Sequence, residues 1–267
     1  MSYKPMSDQP IGIFDSGVGG TTVWYEIQKL LPAENTIYLA DSKNAPYGEK
    51  SKEEIIALCR KNTDLLISKG CKIIVVACNT ATTNAIDYLR ENYQLPFIGI
   101  EPAIKPAALN TDSRKVGVLA TKGTLASNLF LSTSKTHAGD IEVLEQDGDG
   151  LVRLIEQGRA NSEATRELLK KYLDPMVEAR IDHLVLGCTH YPYLIPQLKQ
   201  ILPPNITIID CGGAVARQTE RILKKHNLQN LGEDTGTYEF FINAGKEVLE
   251  ELVLNKAANI SVSELDF

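Results

Sequence analysis

Short apolar runs alternate with amphipathic stretches along most of the chain. Runs of strand length stand at Ile11–Phe14, Thr36–Ala40, Ile73–Ala77, Pro96–Ile100, Val116–Ala120, Ile141–Glu145, His183–Gly187 and Thr207–Asp210. Helical spacing fills the intervals. Val23, Trp24, Ile27, Leu30 and Leu31 follow the i, i+1, i+4, i+7, i+8 pattern of one buried helix face. Ser51 followed by Glu54 predicts a capping box that opens a helix over Lys52–Ser68. Leu168, Leu169, Tyr172, Leu173, Met176 and Val177 mark another helix face. Strands rich in Ile and Val that alternate with helices predict an α/β fold, mainly parallel sheet with helices on both faces.

The chain also resembles itself. Ile11-Gly-Ile-Phe-Asp-Ser returns in pattern as Val116-Gly-Val-Leu-Ala-Thr, 105 residues later. Ile73-Ile-Val-Val-Ala-Cys-Asn-Thr returns as His183-Leu-Val-Leu-Gly-Cys-Thr-His after 110 residues, and Pro96-Phe-Ile-Gly-Ile-Glu as Ile206-Thr-Ile-Ile-Asp-Cys at the same offset. Three matches at nearly one offset predict two similar, pseudo-symmetric α/β domains. The division runs 1–97 with 208–267 for the first and 98–207 for the second. Ligands of open α/β sheets bind beyond the carboxyl ends of the strands, so the active site is expected in the cleft between the two.

Composition narrows the class of protein. The chain has 267 residues, 43% hydrophobic and 23% charged, enough to bury a large core. A net charge of −6 offers no basic surface, which argues against a dedicated nucleic-acid partner. The longest fully apolar run, Ile73–Cys78, falls far short of the ~20 residues of a membrane helix. The N-terminal MSYKPMSDQP lacks the apolar centre of a secretory signal. A cytoplasmic protein without a membrane partner is expected. Cys59, Cys71, Cys78, Cys188 and Cys211 are odd in number and irregular in spacing, so no disulfide framework is expected.

Two of these cysteines occupy equivalent positions of the repeat. Cys78 ends an apolar run and precedes Asn79-Thr80-Ala81-Thr82 and a helix face of Ala85, Ile86 and Leu89. Cys188 ends another and leads through Thr189-His190 towards Leu194, Leu198 and Ile201. A cysteine between a strand and a helix N-terminus sits in a field that favours thiolate. One such residue is ordinarily a small buried hydrophobe; two in register point to chemistry. Paired thiols across a cleft suit stereoinversion, one thiolate removing a proton from carbon and the opposite thiol returning one to the other face. Each needs a neighbouring carboxylate or histidine to manage its proton.

The loop Asp15-Ser16-Gly17-Val18-Gly19-Gly20 follows the first strand. It lacks both the dinucleotide fingerprint and the Gly-Lys-Thr ending of a phosphate loop. Its glycines fit close backbone approach to a small anion, with Asp15 and Ser16 facing the cleft, and they equally fit a structural turn. Pro46-Tyr47-Gly48 suits a pocket wall or a tight turn.

DSGVGG at 15–20, APYG at 45–48, ACNTAT at 77–82 and LGCTHYP at 186–192 together resemble the glutamate racemases of the aspartate/glutamate racemase superfamily. The resemblance runs from residue 10 to about residue 225; the tail after Gly232 resembles the family's final strand-and-helix segment more loosely. It implies a racemisation of L- and D-glutamate that uses two bases and no cofactor or metal, and that supplies D-glutamate for peptidoglycan. It implies that Cys78 deprotonates D-glutamate with help from Asp15, and that Cys188 deprotonates L-glutamate with help from His190. Glu156, in LVRLIEQG, matches the family's interior glutamate. Ser16, Tyr47, Gly48, Asn79, Thr80 and Thr189 fall on substrate-holding positions, with Thr121 as a further pocket residue. Family members commonly form homodimers. Asp210-Cys211-Gly212 departs from the usual Asp-Ser-Gly, and Cys211 is expected to pack. Cys59 and Cys71 are expected in the core, and His137, His183 and His226 as satisfied or exposed side chains.

Three alternatives remain open on sequence. Cys78, Cys188, Cys211 and His190 have the ligand types of a zinc site without its usual Cys-x-x-Cys spacing. A two-domain binder of small anions would explain the cleft and the glycine loop. A related racemase could take aspartate or a hydantoin.

Overall fold

The computed structural model describes residues 6–101, 103–139 and 141–267. Among these residues, ten strands form two sheets. The first carries β1 (Ile11–Asp15), β2 (Thr36–Ala40), β3 (Ile73–Val76), β4 (Phe97–Gly99), β9 (Tyr238–Ile242) and β10 (Ile260–Glu264), in the order β10-β9-β2-β1-β3-β4. The second carries β5 (Lys115–Ala120), β6 (Glu142–Asp147), β7 (His183–Gly187) and β8 (Thr207–Ile209), in the order β6-β5-β7-β8. Every pairing in both sheets is parallel. The run β2-β1-β3-β4 and the run β6-β5-β7-β8 have the same order, so the internal repeat of the sequence is a repeat of topology. By sheet membership, Gly99 is the last residue of β4 in the first sheet and Ile209 the last of β8 in the second.

The central strands β1, β2, β3, β5 and β7 are buried on both faces, which is why they read as unbroken apolar runs. Ile11, Ile13, Ile73 and Val75 point into an apolar cluster that also takes Leu119, Leu184 and Tyr191 from the second half. Phe14, Leu39, Ile74 and Val76 point the other way, onto Ile55, Leu66 and Leu89. Val116, Val118 and Val185 pack on Phe130 and Ile104. Trp24, on the helix Thr21–Leu30, meets Phe240 edge-on at 4.7 Å and donates its indole N–H to Thr36 Oγ1 at 3.0 Å. The helix Lys52–Ser68 opens with the capping box read from Ser51 and Glu54.

The C-terminal tail differs from a single strand and helix. It supplies β9, the helix Lys246–Val253 and β10, and β9 pairs directly with β2. Tyr238, Phe240 and Ile242 are buried while Glu239 is exposed, the alternation of a strand with one covered face. Cys59 and Cys71 lie in the core, and burial pushes the Cys71 thiol up to about 12. His183 Nδ1 meets Asp182 Oδ1 at 2.8 Å, His226 is exposed at a helix end, and the side chain of His137 lies outside the described residues.

Candidate active site

Parallel strands deliver their carboxyl ends to one edge of each sheet, and these two edges carry the motifs. Asp15 is the last residue of β1; Asp41 follows β2; Cys78 follows β3 by two residues. From the second sheet, Thr121 follows β5 and Cys188 follows β7. A narrow cavity takes Ser16, Tyr47, Gly48, Cys78, Asn79 and Thr80 from one side. Thr121, Cys188, Thr189 and His190 come from the other, with Pro46 and Val152 completing the wall. Asp15 and Glu156 stand one layer behind.

Cys78 is the N-cap of the helix Asn79–Asn92. Its sulfur accepts the Ala81 N–H at 3.4 Å, and its thiol donates to Ser16 Oγ at 3.6 Å. The helix end therefore does reach the sulfur, but it does not win. Burial, followed by the charge of Asp15, pushes the Cys78 thiol well above its ordinary value. The expected bias towards thiolate is reversed, and Cys78 rests as a thiol.

Asp15 is fully buried. Its Oδ2 accepts the Gly20 N–H at 2.6 Å and the Thr189 hydroxyl at 3.4 Å, while Ser16 Oγ donates to Oδ1 at 3.4 Å. Burial raises its pKa above the usual carboxylate range, outweighing the opposite pulls of His190 and the Gly20 amide.

Cys188 has a different setting from Cys78. The chain after it forms a 3-10 turn, Tyr191–Leu194, and the α-helix begins only at Ile195. Pro192 and Pro196 lie at the starts of these two elements, where a missing N–H costs little. In place of a helix N-terminus the sulfur meets His190 Nδ1 at 3.8 Å. Nε2 of the same ring lies 2.5 Å from Glu156 Oε1 and 3.2 Å from the Gly19 N–H. One nitrogen cannot donate to Glu156 and accept from Gly19 at once, and the shorter carboxylate contact decides for donation. Burial works against a charged ring, but Cys188 and Glu156 outweigh it and hold the His190 pKa well above its ordinary value. Glu156 is the mirror case: burial would raise its pKa, while His190, Ser42 and the Val18 N–H together hold it below the usual range. Val18 N–H donates to Oε1 and Ser42 Oγ to Oε2, both at 2.7 Å.

The glycine loop is as lean as it is because of these two side chains. A Cβ on Gly17 would fall on the Glu156 carboxylate, and one on Gly19 would fall on the His190 ring. Close approach of backbone to side chain thus explains both glycines.

The remaining polar side chains of the wall are uncharged. Tyr47 Oη donates to Asp41 Oδ2 at 2.5 Å and accepts from Asn62 at 3.2 Å. Thr80 Oγ1 lies 2.8 Å from Thr121 Oγ1, joining the two halves, and Thr124 hydroxyl stands behind both at 3.2 and 3.1 Å. The Asn79 amide is buried with neither its oxygen nor its nitrogen bonded. A buried amide with both ends open beside a cavity is equipped to hold a polar ligand. Cys211 lies elsewhere: its thiol donates to the Glu101 carbonyl at 2.8 Å, and it does not line the cavity. The four-residue zinc set is therefore not assembled. Ser42, Asp41 and Thr124 belong to the site without having shown in the motifs, since isolated hydroxyls and carboxylates in loops carry no spacing signal.

The sequence model of the Asp/Glu/Hydantoin racemase family matches residues 19–219. A glutamate racemase from Herpetosiphon aurantiacus is 48% identical over 235 residues, which cover 88% of this chain and 92% of that protein. One from Ectopseudomonas mendocina is 51% identical over 223 residues, 83% of this chain and 85% of that protein. Among solved structures, the Escherichia coli glutamate racemase in complex with L-glutamate and the activator UDP-MurNAc-Ala aligns with a TM-score of 0.86. That alignment has 32% sequence identity and covers 96% of this chain and 98% of that chain. The chain belongs to the Asp/Glu/Hydantoin racemase family and, within it, to the glutamate racemases.

Proposed function

We propose that this chain interconverts L- and D-glutamate by proton transfer at Cα, with Cys188 and Cys78 as the two acid/base groups and no cofactor. The observation that carries this is one cavity lined by two cysteines from different sheets, each with its own proton partner. With L-glutamate, Cys188, paired as a thiolate with the imidazolium of His190, takes the Cα proton. The electron pair left on carbon spreads into the substrate's α-carboxylate. Cys78, resting as a thiol, delivers its proton to the opposite face, and its thiolate is the base for the reverse direction. Asp15, reaching Cys78 through Ser16, governs that thiolate; Glu156 steadies the imidazolium of His190. Hydroxyls and amides of Ser16, Asn79, Thr80, Thr121 and Thr189, with Tyr47 and Gly48, hold the substrate's charged groups. Enclosure excludes water and strengthens each of these interactions around the developing carbanion.

The same reading makes the chain a cytoplasmic homodimer of two-domain subunits that supplies D-glutamate for peptidoglycan. The named glutamate racemases support the D-glutamate part of it; among the described residues no helix is long and apolar enough to cross a membrane. The test is incubation of the purified protein with L-glutamate in D₂O, with chelator present and no added cofactor. Loss of optical activity with one deuterium at Cα is the expected result. Turnover of aspartate or a hydantoin alone would keep the chemistry and overturn the substrate, and inertness towards all three would overturn the reading.

A further inference from the structure

Resting on the racemase reading above, the geometry points to Ser42 as a positioning residue for the proton relay at Cys188. Ser42 opens a 3-10 turn, Ser42–Asn44, just beyond the carboxyl end of β2. Glu156 ends the helix Leu151–Glu156 on the other side of the cleft, 114 positions away. The Ser42 hydroxyl donates to Oε2, while Oε1 takes both the Val18 N–H and His190 Nε2. Val18 therefore orients one oxygen, and Ser42 provides the hydrogen bond to the other. With that bond, Oε1 stays turned towards His190 and the carboxylate stays ionised; without it, the side chain loses a charge-assisted hydrogen bond and its fixed rotamer.

The turn that presents Ser42 is itself anchored. Asp41 is buried and accepts from Asn44 Nδ2 at 2.7 Å and from Asn243 Nδ2 at 2.6 Å. The Lys43 N–H donates to Asn243 Oδ1 at 2.8 Å. Asn243 directly follows β9, so the C-terminal tail clamps both residues that flank Ser42. This gives the tail a place in the chemistry: it fixes the loop whose hydroxyl holds Glu156.

The test is Ser42→Ala beside Ser42→Thr, which keeps the hydroxyl, and wild type. L- and D-glutamate are equal in free energy, so kcat/KM must fall equally in both directions, by about tenfold or more in Ser42→Ala. The directional evidence lies in isotope effects. Cα-deuterated L-glutamate should show a larger primary effect in Ser42→Ala than in wild type, because proton removal by Cys188 becomes more rate-limiting. Cα-deuterated D-glutamate should show a smaller one. The acidic limb of the kcat/KM profile should move to higher pH, since Glu156 loses a bond that favours its ionised form, and Ser42→Thr should restore all three. Ser42→Cys, close in shape but a weak donor, provides the same readouts where alanine perturbs the turn. A uniform loss of rate with unchanged isotope effects and pH limb would reduce Ser42 to a structural residue, and full activity of Ser42→Ala would equally overturn the proposal. A wild type that does not racemise glutamate would instead overturn the reading beneath it.

Discussion

Gly17 lies against the carboxylate of Glu156, 139 positions further along the chain, with no room for a methyl group between them. Gly19 stands in the same relation to the ring of His190. The loop after β1 and the relay beside Cys188 are therefore shaped to one another. Gly17→Ala or Gly19→Ala should displace Glu156 or His190 while leaving the sheets intact. We expect kcat/KM for glutamate to drop about 100-fold in either variant, since displacements near 1 Å at a reacting group cost that much. Circular dichroism should be unchanged, which separates this outcome from unfolding.

The buried carboxyl of Asp15 costs stability. Its folded carboxyl titrates above its unfolded value, so the folded state binds the proton more tightly. Stability therefore falls as pH rises from the ordinary carboxylate range through the folded pKa, and the cost is complete above it. Asp15→Asn should raise stability at neutral pH by about 1 kcal/mol, an increase in Tm of about 2–4 °C. The gain should vanish below about pH 3, where the carboxyl is protonated in both states. Activity should fall by about 100-fold or more, because Cys78 loses its neighbouring carboxylate. Thermal unfolding at two pH values, with rates alongside, checks both halves.

A second buried charge is purely structural. Lys72 Nζ meets Glu34 Oε2 at 2.5 Å, with side-chain exposures of 0% and 1%, and also reaches the Ser7 carbonyl. The pair lies before β3 and β2, at the ends of the strands away from the cleft. Burial lowers the Lys72 pKa and raises that of Glu34, so desolvation outweighs the pairing on both sides. Lys72→Met should cost about 3–5 kcal/mol by stranding Glu34. Adding Glu34→Leu should recover most of that loss. Denaturant melts measure both, and kcat of the folded protein should not change.

Much of this was legible in the sequence. Thr36–Ala40, His183–Gly187 and Lys52–Ser68 are elements whose bounds the pattern predicts to the residue, because both sheet faces are buried and the helix carries its own cap. The internal repeat foretold the matching strand orders. The asymmetry of the two cysteines was less visible. Cys78 and Cys188 look alike in register, yet one caps an α-helix and the other precedes a 3-10 turn. Prolines at 192 and 196 were the available signal. Burial, which reverses the expected state of Cys78, is a property of the assembled cleft and has no local signature. Ser42 was invisible for the same reason: its partner is 114 positions away. The strand β10 hid because its exposed Ser261, Ser263 and Glu264 break the apolar run.

The division of labour between the two thiols is tested most directly by exchange of the Cα proton in D₂O. Cys78→Ala and Cys188→Ala are each incubated with L- and with D-glutamate, and deuterium at Cα is followed by NMR. Racemisation should fall by at least about 1,000-fold in both variants, as it does when one member of a catalytic pair is removed. Any residual exchange should be confined to L-glutamate in Cys78→Ala and to D-glutamate in Cys188→Ala. Full racemisation by either variant, or exchange of the same enantiomer by both, would contradict the assignment of one base to each face.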